Sequence, residues 1–216
     1  MNNTFPPDVP RLGLLGGTFD PVHVGHLIVA EALAFRLGID HVVFLPAAHP
    51  PHKSGQTVAP AADRLEMIRL SLAGAQGFSV SRVDLKRPGL SYTADMLTEI
   101  RARVAPTTEL YFLMGMDSFR DFPGWRRPDT IGKLARLGVA RRPGVDVAII
   151  DVERQVPETR GRIEIVNVPL IDISSSDIRE RVRTERSYRF HVAPAVADYI
   201  EAHGLYRPDQ TEPDAS

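Results

Sequence analysis

Residues 11–45 read as strand, helix, strand, an order that admits few folds. Leu12, Leu14 and Leu15 mark a short buried strand over Arg11–Gly17. Leu27, Ile28, Ala30, Leu33, Ala34 and Leu37 recur at helical spacing from Val24 to Leu37, and Gly38 ends the run. Val42–Leu45 is a second apolar strand. Two strands joined through a helix lie parallel, because a parallel pair requires a long crossover.

The alternation continues along the chain. A helix is predicted over Ala62–Leu72, a strand over Phe78–Val83, and a helix capped by Ser91 that runs to Val104. Glu109–Met114 is a clear strand, Ile131–Leu134 a short helix, and Leu137–Arg141 and Ile163–Val166 are further strands. Ser174–Ser176 offer caps for a helix through Arg183, and Pro194–His203 is a last helix with proline in its first turn. The expected architecture is a single α/β domain over residues 11–206, with a Rossmann-like, doubly wound and mostly parallel sheet. Residues 1–10 read as a loose leader and 207–216 as a frayed, disordered tail.

Composition removes several classes of function. With 43% hydrophobic and 25% charged residues, disorder throughout is disfavoured. A net charge of -1 argues against a nucleic-acid partner held by bulk charge. The absence of cysteine excludes disulfides, thiolate metal sites, iron–sulfur clusters and a cysteine nucleophile. No basic stretch precedes an apolar run near the start, and no apolar run approaches the ~18 residues of a membrane span. The expected location is cytoplasmic, with no membrane partner; a homo-oligomer stays open.

Doubly wound sheets bind ligands at the carboxyl ends of their strands, and the chemistry-bearing residues fall there. Gly16-Gly17-Thr18-Phe19-Asp20-Pro21 follows the first strand directly. Two glycines let the backbone approach a ligand closely, and successive N–H groups in such a loop can cradle phosphate. His23 and His26 follow at the start of the helix, three apart and so on one face. The helix N-terminus adds a positive dipole aimed the same way. Together these features describe a site for polyanion chemistry. A metal held by the two histidines is not expected, since no third ligand has an obvious spacing.

The string GGTFDPVHVGH resembles the signature of the HxGH nucleotidyltransferases, and within them most closely that of bacterial nicotinate-nucleotide adenylyltransferases. The resemblance extends in order from Arg11 to Tyr206. It implies adenylyl transfer from ATP to nicotinate mononucleotide, giving nicotinate adenine dinucleotide (deamido-NAD) and pyrophosphate in NAD biosynthesis. It implies magnesium bridging the substrate phosphates, with few or no protein ligands. His23, His26 and Arg179 take the catalytic positions, and backbone N–H groups of Gly17, Thr18 and Phe19, in the loop opened by Gly16, face phosphate.

The remaining motifs carry both a plain reading and one implied by the resemblance. Pro46–Lys53 (PAAHPPHK) is a rigid proline loop whose His52 and Lys53 can reach phosphate. Five of the seven histidines lie between residues 23 and 52, which supports clustering at one edge. Ser91-Tyr92-Thr93 caps a helix; the resemblance sets it beside the pyridine carboxylate. Gly115 and Asp117 form a turn after a strand, which in the family holds a ribose. Trp125, the single tryptophan, followed by Arg126, is either packed at the surface or stacked on the nicotinate ring. Arg141 sits in a basic turn that resembles the adenine loop. Ser174, Ser175, Ser176 and Arg179 open a helix and resemble the segment that closes the triphosphate site.

Competing readings share parts of this pattern. Nicotinamide mononucleotide or phosphopantetheine could serve as acceptor, and a nucleotide sensor would bind without turnover. A sensor would have no need of both histidines beside the serines. A nucleic-acid-binding module lacks a basic face interleaved with aromatics.

Overall fold

The computed structural model describes residues 5–6, 9–49, 58–87, 89–142 and 144–208. Six strands form one sheet: β1 (Arg11–Gly17), β2 (His41–Pro46), β3 (Phe78–Val80), β4 (Glu109–Gly115), β5 (Arg136–Ala140) and β6 (Ile163–Val166). All are parallel, in the order β3-β2-β1-β4-β5-β6. The chain therefore starts at the centre and winds outward twice. The order reverses between β1 and β4, where a crevice must open at the strands' carboxyl ends.

Eight helices accompany the sheet among the described residues, six between strands and two after β6: α1 (Val24–Leu37), α2 (Ala61–Ser71), α3 (Thr93–Arg101), α4 (Met116–Asp121), α5 (Pro128–Leu134), α6 (Ile149–Gln155), α7 (Ser175–Arg183) and α8 (Pro194–Ala202). Side chains alternate between the two faces of each strand, and two cores result. Val43 and Leu45 point into one, with Leu97, Ile100, Phe119 and Ile131. Val42 and Phe44 point into the other, with Leu33, Met67, Ile178 and Ile200. Burial on both faces explains why β2 and β4 read as unbroken apolar runs.

The structure departs from the sequence reading at several places. β3 ends at Val80, not Val83, because the Ser81 hydroxyl accepts from Val83 N–H at 3.2 Å and turns the chain into a short 3-10 segment, Asp84–Lys86. α3 ends at Arg101, not Val104, where the Arg101 guanidinium gathers the carbonyls of Ala105 and, at 2.7 Å, Thr108. Its N-cap is Tyr92, not Ser91. α6 has no counterpart in the reading, since Ile149, Ile150 and Val152 are β-branched and the helix spans only seven residues. Within the segment read as a leader, Phe5 is buried in the core and the Val9 carbonyl accepts from Thr108.

Candidate active site

Two cavities open at the reversal point, of about 560 and 620 Å³. Gly16, Gly17, Phe112, Ser118 and Trp125 border both, so the cavities share this wall. The first cavity is closed by Thr18, Ser91, Tyr92, Thr93 and Arg126, with Leu45, Asp84 and Met96. Trp125 stands edge-on to Phe112 and Phe122, with ring centroids 6.0 and 5.8 Å away. The Arg126 guanidinium lies 4.4 Å from the Tyr92 ring centre, a cation–π contact at the rim.

Ser91 does not cap α3. Its hydroxyl accepts from His49 N–H at 3.0 Å, and its own N–H donates to the His49 carbonyl at 3.1 Å. The buried Asp84 carboxylate accepts from Ala48 N–H at 3.0 Å. These bonds clamp the loop after β2 to the first cavity. His52 and Lys53, expected further along that loop, lie outside the described residues.

The second cavity contains Phe19, His23, His26, Gly115, Asp117, Arg141 and Ser174. His23 is the N-cap of α1, and its backbone N–H donates to His26 Nδ1 at 3.2 Å. An Nδ1 that accepts places the proton of a neutral ring on Nε2. The two imidazoles stack with centroids 3.7 Å apart. Gly25 permits the close approach, because a Cβ there would lie 3.0 Å from His23 Nδ1. Burial pushes the His23 pKa down to about 4, helped by His191; burial and then His23 push His26 down to about 3. Both rings are thus neutral hydrogen-bond donors at pH 7. Asp117 accepts from Arg142 at 2.7 Å on the far wall.

The serine-rich helix start plays a different part from the one expected. Ser174 caps α7, its hydroxyl accepting from Asp177 N–H at 3.1 Å. The Ser175 hydroxyl donates to the Pro21 carbonyl at 2.9 Å, and Arg179 donates to the Asp20 carbonyl at 2.7 Å and to Ser176 at 3.3 Å. Ser175, Ser176 and Arg179 border neither cavity and instead hold the Asp20–Pro21 turn from behind.

The sequence reading missed three contributions. Val168–Ile173 walls the second cavity; its position just beyond β6 was the available signal. Arg142 borders the same cavity and pairs with Asp117. Arg64, 1% exposed, donates to the Thr18 carbonyl at 2.8 Å, and nothing local separates it from a surface arginine on a helix.

Among the described residues, no group of three or more His, Asp or Glu side chains could hold a metal ion, and no helix is long and apolar enough to cross a membrane.

Known proteins match both the sequence and the fold. The cytidylyltransferase-like family profile matches residues 14–181. A Thermomicrobium roseum protein named "Probable nicotinate-nucleotide adenylyltransferase" is 51% identical over 91% of this chain and 92% of its own length. A Dehalococcoides mccartyi protein of the same name is 39% identical, covering 91% and 97%. The structure of Plasmodium falciparum nicotinic acid mononucleotide adenylyltransferase complexed with NaAD superposes with a TM-score of 0.73 at 18% identity, over 91% of this chain and 97% of that one. That last likeness concerns the fold; the sequence matches carry the conclusion that this chain belongs to the nicotinate-nucleotide adenylyltransferases of the cytidylyltransferase-like family.

Proposed function

We propose that the protein transfers the adenylyl group of ATP to nicotinate mononucleotide, releasing pyrophosphate and forming nicotinate adenine dinucleotide. One observation carries this reading: two cavities of nucleotide size meet at Gly16–Gly17, a wall with no side chain on its glycine floor. ATP takes the cavity with His23 and His26, and the mononucleotide takes the one with Tyr92, Thr93 and Trp125. A pyridine ring lies against Trp125, and its carboxylate meets the N-terminal N–H groups of α3.

A phosphate oxygen of the mononucleotide attacks the α-phosphorus of ATP. The bond from that phosphorus to the β-phosphate oxygen breaks, and pyrophosphate leaves with the electron pair. The attacking phosphate is already anionic near neutral pH, so no general base is needed. Catalysis rests on positioning and on charge stabilisation. His23 and His26 donate from neutral rings to the α-phosphate oxygens, and the triphosphate charge raises their proton affinity as it binds. The backbone of Gly17–Phe19 follows the phosphates, Gly115 and Asp117 hold a ribose, and Arg141 borders the adenine. Ser174 borders the ATP cavity, Ser175, Ser176 and Arg179 brace the Asp20–Pro21 turn of the phosphate loop, and His52 and Lys53 serve the pyrophosphate end. Magnesium enters with ATP as part of the substrate. A cytoplasmic location completes the reading.

The test is pyrophosphate release with ATP and magnesium, comparing nicotinate mononucleotide, nicotinamide mononucleotide and phosphopantetheine. Preference for the acid supports the assignment. Preference for another acceptor overturns the pyridine-site reading, and ATP binding without release overturns catalysis.

A further inference from the structure

Tyr206 stands beyond the last helix, at the end of the stretch over which the family resemblance runs. Its hydroxyl nevertheless donates to Asp20 Oδ1 at 2.8 Å, across 186 residues of chain. Asp20 is 1% exposed and lies in the loop that leads to His23. The same Oδ1 accepts from Ala59 N–H at 3.2 Å. The other oxygen, Oδ2, is buried without a hydrogen bond and faces the Arg179 guanidinium at 3.7 Å. Arg179 also donates to the Asp20 carbonyl. From the opposite side the buried Arg64 donates to the Thr18 and Ala59 carbonyls, and the Asp20 charge acts on it.

Arg179 faces the Asp20 carboxylate, while Arg64 bonds only carbonyls and feels the Asp20 charge, so two guanidinium groups flank the first loop. An unrestrained carboxylate could rotate and give both oxygens to one arginine in a bidentate pair. The Tyr206 hydroxyl, with the longer bond from Ala59 N–H beside it, opposes that by occupying Oδ1, which keeps Oδ2 toward Arg179. Burial, and then the Asp20 charge, raise the Tyr206 pKa far above the usual phenol range, so the hydroxyl remains a donor.

We infer that Tyr206 is a positioning residue for Arg179, acting through Asp20, so that the end of the chain sets the geometry of the phosphate-binding loop. The inference rests on the proposed function only in taking the loop that Arg179 braces to bind phosphate.

A double-mutant cycle in the full chain tests it, with Y206F, R179K and the pair. Pyrophosphate release gives kcat and the KM of each substrate. Quenching of Trp125 fluorescence gives ATP affinity independently of turnover, and thermal melts show that each variant folds. Y206F is expected to keep the fold and lose about tenfold in kcat/KM for ATP, as when one charge-assisted hydrogen bond is removed. The loss should largely vanish in the R179K background, which a purely structural role of Tyr206 would not produce. Wild-type kinetics and ATP affinity in Y206F, or a full and additive loss beside R179K, overturn the inference. An inactive wild type overturns the proposed function instead, while the cycle is still scored in ATP affinity.

Discussion

Replacing Gly17 by alanine would place a methyl carbon 2.8 Å from Phe19 Cζ and 3.0 Å from Cε1 and Cε2. The ring has little room to retreat. It is 2% exposed, and the His26 and Phe44 rings lie 5.0 and 5.4 Å away between centroids. Its backbone is also committed, with φ at 51°, a left-handed conformation that bulky residues rarely adopt. Overpacking of this kind costs about 1–3 kcal/mol. In a chain of this size each kcal/mol lowers the melting temperature by about 2–4 °C, so the expected fall is about 2–12 °C. A second effect follows from where the ring must go. Phe19 is backed by His26 and Phe44, and on the proposed mechanism a displacement of the His26 ring by ~1 Å costs up to about a hundredfold in rate. Gly138→Ala is the control, since its Cβ would lie 2.7 Å from Leu113 Cδ2 and Leu37 Cδ1 inside the sheet, and Gly138 itself borders neither cavity, reaching the second only through Leu113. Both variants should melt early in circular dichroism, and only G17A should lose kcat below its transition. If G17A melts with the wild type, the packing argument fails. If both variants melt early and both keep kcat, the link from Phe19 to His26 fails.

Other perturbations have equally definite outcomes. His26→Ala should lower kcat by about a hundredfold or more, as for loss of one preorganised donor, with the circular dichroism spectrum unchanged; a folded variant with normal turnover would remove His26 from the mechanism. Acid should destabilise the fold. Unfolded histidines take up protons near pH 6.5, whereas burial keeps His23 and His26 neutral down to about 4 and about 3. Their stabilising contribution is thus complete above pH 6.5 and shrinks as the pH falls below it, so melting temperatures should be lower at pH 5 than at pH 7.5. His26→Gln should show a smaller drop, and an identical drop would contradict the assignment. EDTA should stop pyrophosphate release without changing the melting temperature, because the cation belongs to the ATP; a lower melting temperature would point to a protein-held metal.

The sequence and the structure agree most closely where physical signals are local. The bounds of β1 and α1 match residue for residue, since apolar periodicity and Gly38 mark them. The alternation of strands and helices sufficed for a doubly wound sheet, and the GGTFDPVHVGH string placed the histidines at one cavity. Local signals misled where a side chain had two possible partners. Ser91 looks like a cap from its neighbours, yet its hydroxyl accepts from His49 N–H. Ser175 looks free to reach phosphate, yet it donates to Pro21, 154 residues away. Arg64 and Tyr206 carry no local signal of their bonds to the first loop, because their partners there, the Thr18 carbonyl and Asp20, are distant in sequence. Pairings of that kind depend on winding the whole chain, and no window of sequence contains them.

The thin wall between the cavities has a pharmacological consequence. Separate ligands, one for each cavity, would each give up their translational and rotational freedom. A single molecule passing over Gly16–Gly17 gives it up once, a saving of at least about 4 kcal/mol if the linker is stiff and fits. With no side chain on the glycine floor to displace, a short bridge between an adenosine-like and a pyridine-like head is the shape that this crevice should retain longest.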